Sequence, residues 1–315
     1  MNITLENAVS LFLVDQDLKG NSDKTIEYYN NTLGYFLDFM GKEKNVQDIN
    51  INDLNNYMLM LKKRPMMKNH PFRPKEDRPI KSISLQSYIR SIRSFLGWLY
   101  KECYIKDNLQ KDYKLPKAKK SVIEILSNRE IEVLLYSFNN KKEIGLRNLC
   151  IISLMLDSGL RRSEVINLNY DNIHITQGII KVTGKGDKER IVPIGLYTKK
   201  QLIKYMNGFR SMPEYETKKL FIDIYKKPIT ENAIKQLFVR LRKKTGIERL
   251  KPHLLRHTFA TKYLMNGGDI FSLQQILGHT SLDMVRRYSH LASSYIVHNY
   301  KKLSPLDNIY SNKYK

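Results

Sequence analysis

Acidic residues are in short supply. The 315-residue chain carries 31 Asp and Glu against 54 Lys and Arg, for a net charge of +23. Without a cluster of carboxylates, little in it can hold a hard divalent cation. Cysteine is scarcer still: Cys103 and Cys150 are the only two, with no paired spacing. That excludes a disulfide framework and points to a reducing, cytoplasmic setting; both read as small core residues. No run of about 18 apolar residues occurs, so no membrane span is expected. The opening segment MNITLENAVSLFLVDQD has early acids and no basic stretch, so it does not read as a secretory signal. Internal repeats and long low-complexity tracts are lacking as well.

What is abundant is positive charge. An excess this large is the footprint of a polyanionic partner, nucleic acid above all. Part of it goes with a general richness in Lys, Asn, Ile and Tyr, as an AT-rich genome produces. The length allows two domains, each able to bury its own core.

Periodicity predicts helices over 4–19 and 23–40, each stopped by a glycine, Gly20 and Gly41. A third is expected over 53–63 and a fourth over 82–102. In the fourth, Leu85, Tyr88, Ile89, Ile92, Phe95, Leu96 and Leu99 form one stripe, while Arg90, Arg93 and Lys101 lie on the other side. That basic face is either a solvated back or a surface that enters a DNA groove. Between helices three and four, KKRPMMKNHPFRPKEDRP is too rich in proline for a helix and reads as a loop, touching phosphates or merely solvated. A basic connector that includes KDYKLPKAKKS follows, with Pro116 and five lysines. The second domain opens on a capping box from Ser127 to Glu130. A buried helix over 146–156 is broken by Ser158 and Gly159. Short strands are expected near 172–176, 178–183 and 188–194, with Gly184 to Asp187 turning between the last two. From 197 onward the pattern is helical except near 220–225.

Four motifs in this half carry chemistry: DSGLRRSEV, VTGKGDKERIVPI, HLLRHTFAT and LGHTSLDMVRRYSH. Arg161 follows a glycine turn at a helix start, where a guanidinium fork and the helix N-terminus both suit phosphate. Glu164, three residues on, can steady Arg161, whereas Arg162 points elsewhere. Lys185 sits at the tip of a glycine-flanked turn, from which an ammonium can protonate a leaving oxygen. His253 and Arg256 lie one turn apart on one helix side. The His253 and His257 spacing invites zinc, but Leu254 stands where a metalloprotease needs glutamate, and Arg256 repels a metal; no metal is expected. His279 follows Gly278 at a helix end, and Tyr288 comes nine residues later. A phenol attacks a phosphodiester only if its proton is accepted or the phosphate strongly activated. Alone, each residue has an ordinary reading as surface or packing; together they form a set.

R-x-x-E, then GKG at a strand turn, then H-x-x-RH, then LGH with a tyrosine nine residues on, resembles the tyrosine recombinase (phage integrase) family. The likeness spans essentially the whole chain and is nearest the short Xer-like and mobile-element type. It implies a mainly α fold with a small antiparallel β-sheet, forming a two-domain C-shaped DNA clamp. The expected parts are a helical DNA-binding domain (1–107), a basic linker (108–126), a catalytic domain (127–300) and a tail (301–315). It implies that Arg161 and Arg256 clamp the scissile phosphate and Lys185 protonates the departing 5′ oxygen. His253 would assist proton transfer at the nucleophile, His279 would hydrogen-bond a phosphate oxygen, and Tyr288 would form a 3′-phosphotyrosyl link. Glu164 and His257 would support these groups. The implied partner is double-stranded DNA with specific recombination sites, bound on two sites by a homotetramer that is a monomer or weak dimer when free, with accessory proteins possible. No cofactor is implied, since one phosphoester is exchanged for another, and the place of work would be the cytoplasm, at the nucleoid.

The chain departs from the pattern at Val285 and Ser158, where threonine is common, and in the longer proline-rich loop. No separate amino-terminal β-rich module is expected. Tyr295, Ile296, Tyr300 and Leu303 suit a short tail helix, packed at home or, as the resemblance favours, on a neighbouring protomer. Two competing functions remain from the sequence: an architectural DNA binder, which has no use for Tyr288 or Lys185, and a type IB topoisomerase, which relaxes supercoils at arbitrary sequence.

Overall fold

The structure is a computed structural model that describes residues 2–66, 76–117, 123–184, 188–213 and 217–278, with 282, 288, 300, 304–306 and 309. It divides into two compact units, Met1–Ser121 and Val122–Lys315.

The first unit is helical: α1 (Leu5–Leu18), α2 (Asp23–Met40), α3 (Ile51–Lys63), α4 (Ser82–Lys101) and the single turn α5 (Leu109–Asp112), with a short antiparallel pair, β1 (Pro65–Met66) and β2 (Glu76–Pro79), between α3 and α4. Gly41 caps α2 at φ 87°, a conformation only glycine adopts freely. The α4 stripe meets the partners its spacing demands: Ile89, Ile92, Phe95, Leu96 and Leu99 are fully buried against Phe12 of α1 and Leu33 and Phe36 of α2.

The structure differs from the sequence reading beyond α4. Leu109 and Tyr113 join the first core instead of lying in a free linker. Arg93 donates to the Tyr113 carbonyl (2.7 Å) and Gln86 to the Pro116 carbonyl (2.7 Å), which fastens this stretch to α4. Arg93, one of the candidate DNA contacts, is therefore half-buried and turned inward. Arg90 reaches Gln86 (3.0 Å) and remains exposed, as does Lys101. A proline and several lysines signalled a connector; one aromatic and one leucine at turn spacing were enough to pin it.

The second unit comprises α6 (Asn128–Tyr136), α7 (Glu143–Asp157), α8 (Arg162–Asn167), β3 (Ile173–His174), β4 (Ile179–Thr183), β5 (Glu189–Pro193), α9 (Leu196–Lys204), α10 (Glu231–Thr245), α11 (Pro252–Met265) and α12 (Ile270–Leu277). The strands form one antiparallel sheet in the order β3-β4-β5. The capping box at Ser127 and Glu130 is present, and Arg249 adds a two-pronged ion pair to Glu130 (2.7 and 2.9 Å). The Arg249 guanidinium and the Ser127 N–H hold the Glu130 carboxyl down at about 2. Every residue of α7 from Leu146 to Met155 is buried, so this helix is the spine of the core, packed by α9 and α11. Of the tail-helix residues, only Tyr300 is described, and it is exposed; Tyr295, Ile296 and Leu303 lie outside the described residues, as does Val285.

Candidate active site

The site begins where α7 stops. Ser158 ends the helix and donates its hydroxyl to the Pro193 carbonyl (3.1 Å). Gly159 then turns left-handed at φ 63°, and a Cβ there would stand 2.5 Å from the Phe259 ring and 2.8 Å from Leu277. Only glycine fits both demands. The turn delivers Arg161 as the N-cap of α8. Glu164 accepts from the Arg161 backbone N–H (2.7 Å) and from its guanidinium (2.7 Å), so one carboxylate fixes both ends of the residue. The other arm of that guanidinium reaches the Gly278 carbonyl (3.4 Å). Arg162, as its position on the helix required, faces away and pairs with Glu231 (3.0 Å).

Arg256, on α11, comes up beneath this turn. It is 5% exposed, and its two terminal nitrogens donate to the main-chain carbonyls of Gly159 (2.5 Å) and Leu277 (2.6 Å). Burial, and then the charge of Arg161, lower its pKa to about 10. It is still a cation at neutral pH, held in an uncomfortable place.

Arg190 is missing from the residues that the sequence motifs single out, yet it joins the parts of the site. From β5 it grips Glu164 with two parallel bonds (2.9 Å each) and donates Nε to the Ile276 carbonyl (2.7 Å). A Cβ on Gly278 would press on its side chain at 3.1 Å. A signal for it existed: strand alternation puts Arg190 on the same face as Val192, which is fully buried. An arginine on an inward face needs a buried partner. Burial pushes the Glu164 carboxyl upward, but Arg190 and then Arg161 outweigh it and hold the group below its usual value. Arg190→Ala is expected to destabilise the protein by about 3 kcal/mol, since it strands a buried carboxylate with one cation instead of two. Thermal unfolding of the full chain measures this; a change inside the error of the scan would show the pair to be dispensable.

The remaining groups line up along α11 and beyond. His253 is exposed on the first turn of α11. Protein covering part of its ring, and then the cations Arg256, Lys251, Arg162 and Arg161, lower its pKa, so the imidazole is neutral at pH 7. His257 Nδ1 lies 2.6 Å from the Tyr288 hydroxyl. Tyr288 is 4% exposed and its ring packs into the same core as α7. Its phenol also acts electrostatically on Arg256. Lys185 and His279 lie outside the described residues. Their neighbours are described: Gly184 closes the β4–β5 hairpin by donating to the Lys188 carbonyl (2.8 Å), and Gly278, next to His279, abuts Arg190. The fold thus brings together Arg161 and Glu164, Arg190 and Arg256 from three separate stretches of chain, and sets Tyr288 and His257 beside Arg256. Among the described residues, two guanidiniums pair with Glu164 and a third, Arg256, lies within reach of its charge, so cations outnumber carboxylates here.

The phage integrase family model matches residues 124–294. Tyrosine recombinase XerD of Listeria monocytogenes serotype 4b is 29% identical over 309 residues, covering 97% of this chain and 99% of that protein. XerD of Lacticaseibacillus casei is 33% identical over 225 residues, 70% of this chain and 77% of its own length. Among solved structures, that of XerA recombinase matches with a TM-score of 0.51 at 28% identity, covering 95% of this chain and 99% of that one. The Tn1549 transposon integrase in complex with circular intermediate DNA matches with a TM-score of 0.75 at 17% identity, covering 96% and 100%. With the family match running from just ahead of α6 through the cationic cluster to Tyr288, and with Xer relatives aligned over nearly all of the rest, the chain belongs to the phage integrase family of tyrosine recombinases, and its reaction is the site-specific breaking and rejoining of DNA strands.

Proposed function

We propose that Tyr288 is the nucleophile of this reaction and that the cluster beside it is the seat of the scissile phosphate. The observation that carries the reading is the excess of cations over carboxylates among the described residues: Arg161 and Arg190 pair with Glu164, which also acts on Arg256, beside a phenol. A phosphodiester entering there supplies the missing anion, and the guanidiniums stabilise the charge that builds up as phosphorus becomes five-coordinate. Arg161, more exposed than Arg256, contacts the phosphate directly. Arg256 braces the seat from below. Lys185 protonates the departing 5′ oxygen. His253 and His279 add hydrogen bonds to phosphate oxygens, Glu164 holds Arg161 in register, and Tyr288 carries the 3′ phosphate until rejoining.

The partner is double-stranded DNA bearing specific sites, held by both units, with Arg90 and Lys101 contacting its backbone from the first. Two such sites are joined by four protomers, and strands are exchanged in two steps. In the absence of DNA the protein is a monomer or weak dimer, and it works at the nucleoid.

The test is a covalent one. A duplex selected from a random pool by binding, then nicked to trap the intermediate, is incubated with the protein and the adduct digested with protease. The nucleotide is expected on the peptide that contains Tyr288; attachment at any other residue would sink the assignment. Binding to the intact duplex is expected to weaken steeply with salt, by a slope near −0.9 for each phosphate neutralised. Titration between low and moderate salt measures it, and a flat response would contradict phosphate-dominated recognition.

A further inference from the structure

We propose that His257 is the base that takes the phenolic proton from Tyr288 as that residue attacks. This rests on Tyr288 being the nucleophile, as proposed above, and goes on to assign the proton, which the sequence motif had given to His253.

A phenol has an ordinary pKa near 10, so at neutral pH it enters the reaction protonated. Its proton needs an acceptor within hydrogen-bond reach at the moment of attack. Bulk water is a poor candidate, because Tyr288 is 4% exposed. Among the described charged and titratable groups around Tyr288 and its neighbour Arg256, α11 contributes His253, Arg256 and His257, the turn ahead of α8 contributes Arg161, α8 contributes Glu164 and β5 contributes Arg190. Guanidinium groups have no lone pair to offer. Both oxygens of Glu164 already accept from Arg161 and Arg190. His253 sits exposed on the first turn of α11, one turn before His257. Among the described residues, His257 is in hydrogen-bond contact: its Nδ1 lies 2.6 Å from the phenolic oxygen, with the ring centroids 5.6 Å apart.

The step balances as follows. Neutral His257, carrying its hydrogen on Nε2, accepts the Tyr288 proton at Nδ1. The phenolic oxygen forms its bond to phosphorus as the bond from phosphorus to the 5′ oxygen breaks. That oxygen takes a proton from the acid, Lys185 in the reading above. On rejoining, the imidazolium returns its proton to the phenolic oxygen as the phosphotyrosyl bond breaks. Arg256, next in sequence and electrostatically coupled to Tyr288, favours the phenolate that develops.

Single-turnover adduct formation by the full chain on the nicked duplex tests this with His257→Ala, His257→Gln and Tyr288→Phe. His257→Ala is expected to slow adduct formation by about 10²- to 10⁴-fold, the usual share of a general base. Free imidazoles should restore part of that rate, the more basic ones restoring more. His257→Gln keeps a polar partner for the phenol but cannot take its proton, and is expected to stay slow. A glutamine variant that cleaves at the unmutated rate overturns the proposal, as does an alanine variant whose deficit no imidazole relieves. The Tyr288→Phe arm separates the two claims: an adduct that persists with it removes the nucleophile assignment, and this one with it.

Discussion

With phenylalanine at 288 the covalent adduct is expected to vanish while duplex binding stays within a few-fold of the unmutated protein. The two halves of this expectation have different origins. Phenylalanine keeps the ring that packs into the core of the second unit, where Tyr288 is 4% exposed, so the fold has little reason to change. What leaves is one oxygen and its bond to His257. A hydrogen bond of that kind contributes about 1 kcal/mol to stability, and the imidazole, half-buried, can turn to water. No other oxygen replaces the lost one in chemistry, since attack through an enzyme-bound phenol is a covalent step with no partial substitute. Affinity comes from phosphate contacts spread over many lysines and arginines of a chain with net charge +23, and none of these is altered. Gel shift against adduct yield on the same duplex measures both halves. Loss of binding together with the adduct would mean that the phenol holds up the architecture of the site.

Arg256→Met is expected to lower cleavage by about 10³-fold, the scale for removing a preorganised donor of transition-state charge, while moving the unfolding temperature by only a few degrees. Two effects on stability oppose each other. The carbonyls of Gly159 and Leu277 lose their partner, at about 1–3 kcal/mol for each one left buried. Against that, the cation is an expense to the native state: a value lowered to about 10 from the ordinary arginine range corresponds to about 3 kcal/mol. The sign follows from the direction of the shift. A basic group whose folded value is depressed destabilises the fold at every pH below about 10, and the penalty fades only as pH rises from there toward the ordinary arginine value. Methionine fills most of the arginine stem's volume without charge, so the terms nearly cancel. Cleavage has no such compensation. A variant that unfolds far earlier yet still cleaves would show Arg256 to be a strut and no part of the chemistry.

How much of this was legible beforehand follows from the range of each interaction. The α4 stripe, the capping box at Ser127, the break at Ser158 and Gly159 and the bond between Glu164 and Arg161 are all settled within a few residues of chain, and the sequence displays them. Arg190 finds its partners 26 and 86 positions away, and spacing carries no trace of that; only its place on the inward face of a strand hinted at a partner. The bond from His257 to Tyr288 crosses 31 positions, and motif order pointed to the neighbouring turn instead. The docking of Leu109 and Tyr113 was hidden for a different reason: lysines and a proline dominate the composition there, and composition outvoted two apolar residues.

Arg256 is seated on two peptide oxygens. No replacement of a side chain elsewhere can delete such a partner, because every amino acid brings the same carbonyl. Relatives are therefore free to diverge around this cation provided the path of the chain is kept, and the positions that guard the path are those with least side chain: Gly159 and Gly278, one at each end of the arginine's reach. Genetic damage to this centre should accordingly surface at these two glycines as well as at the charged side chains.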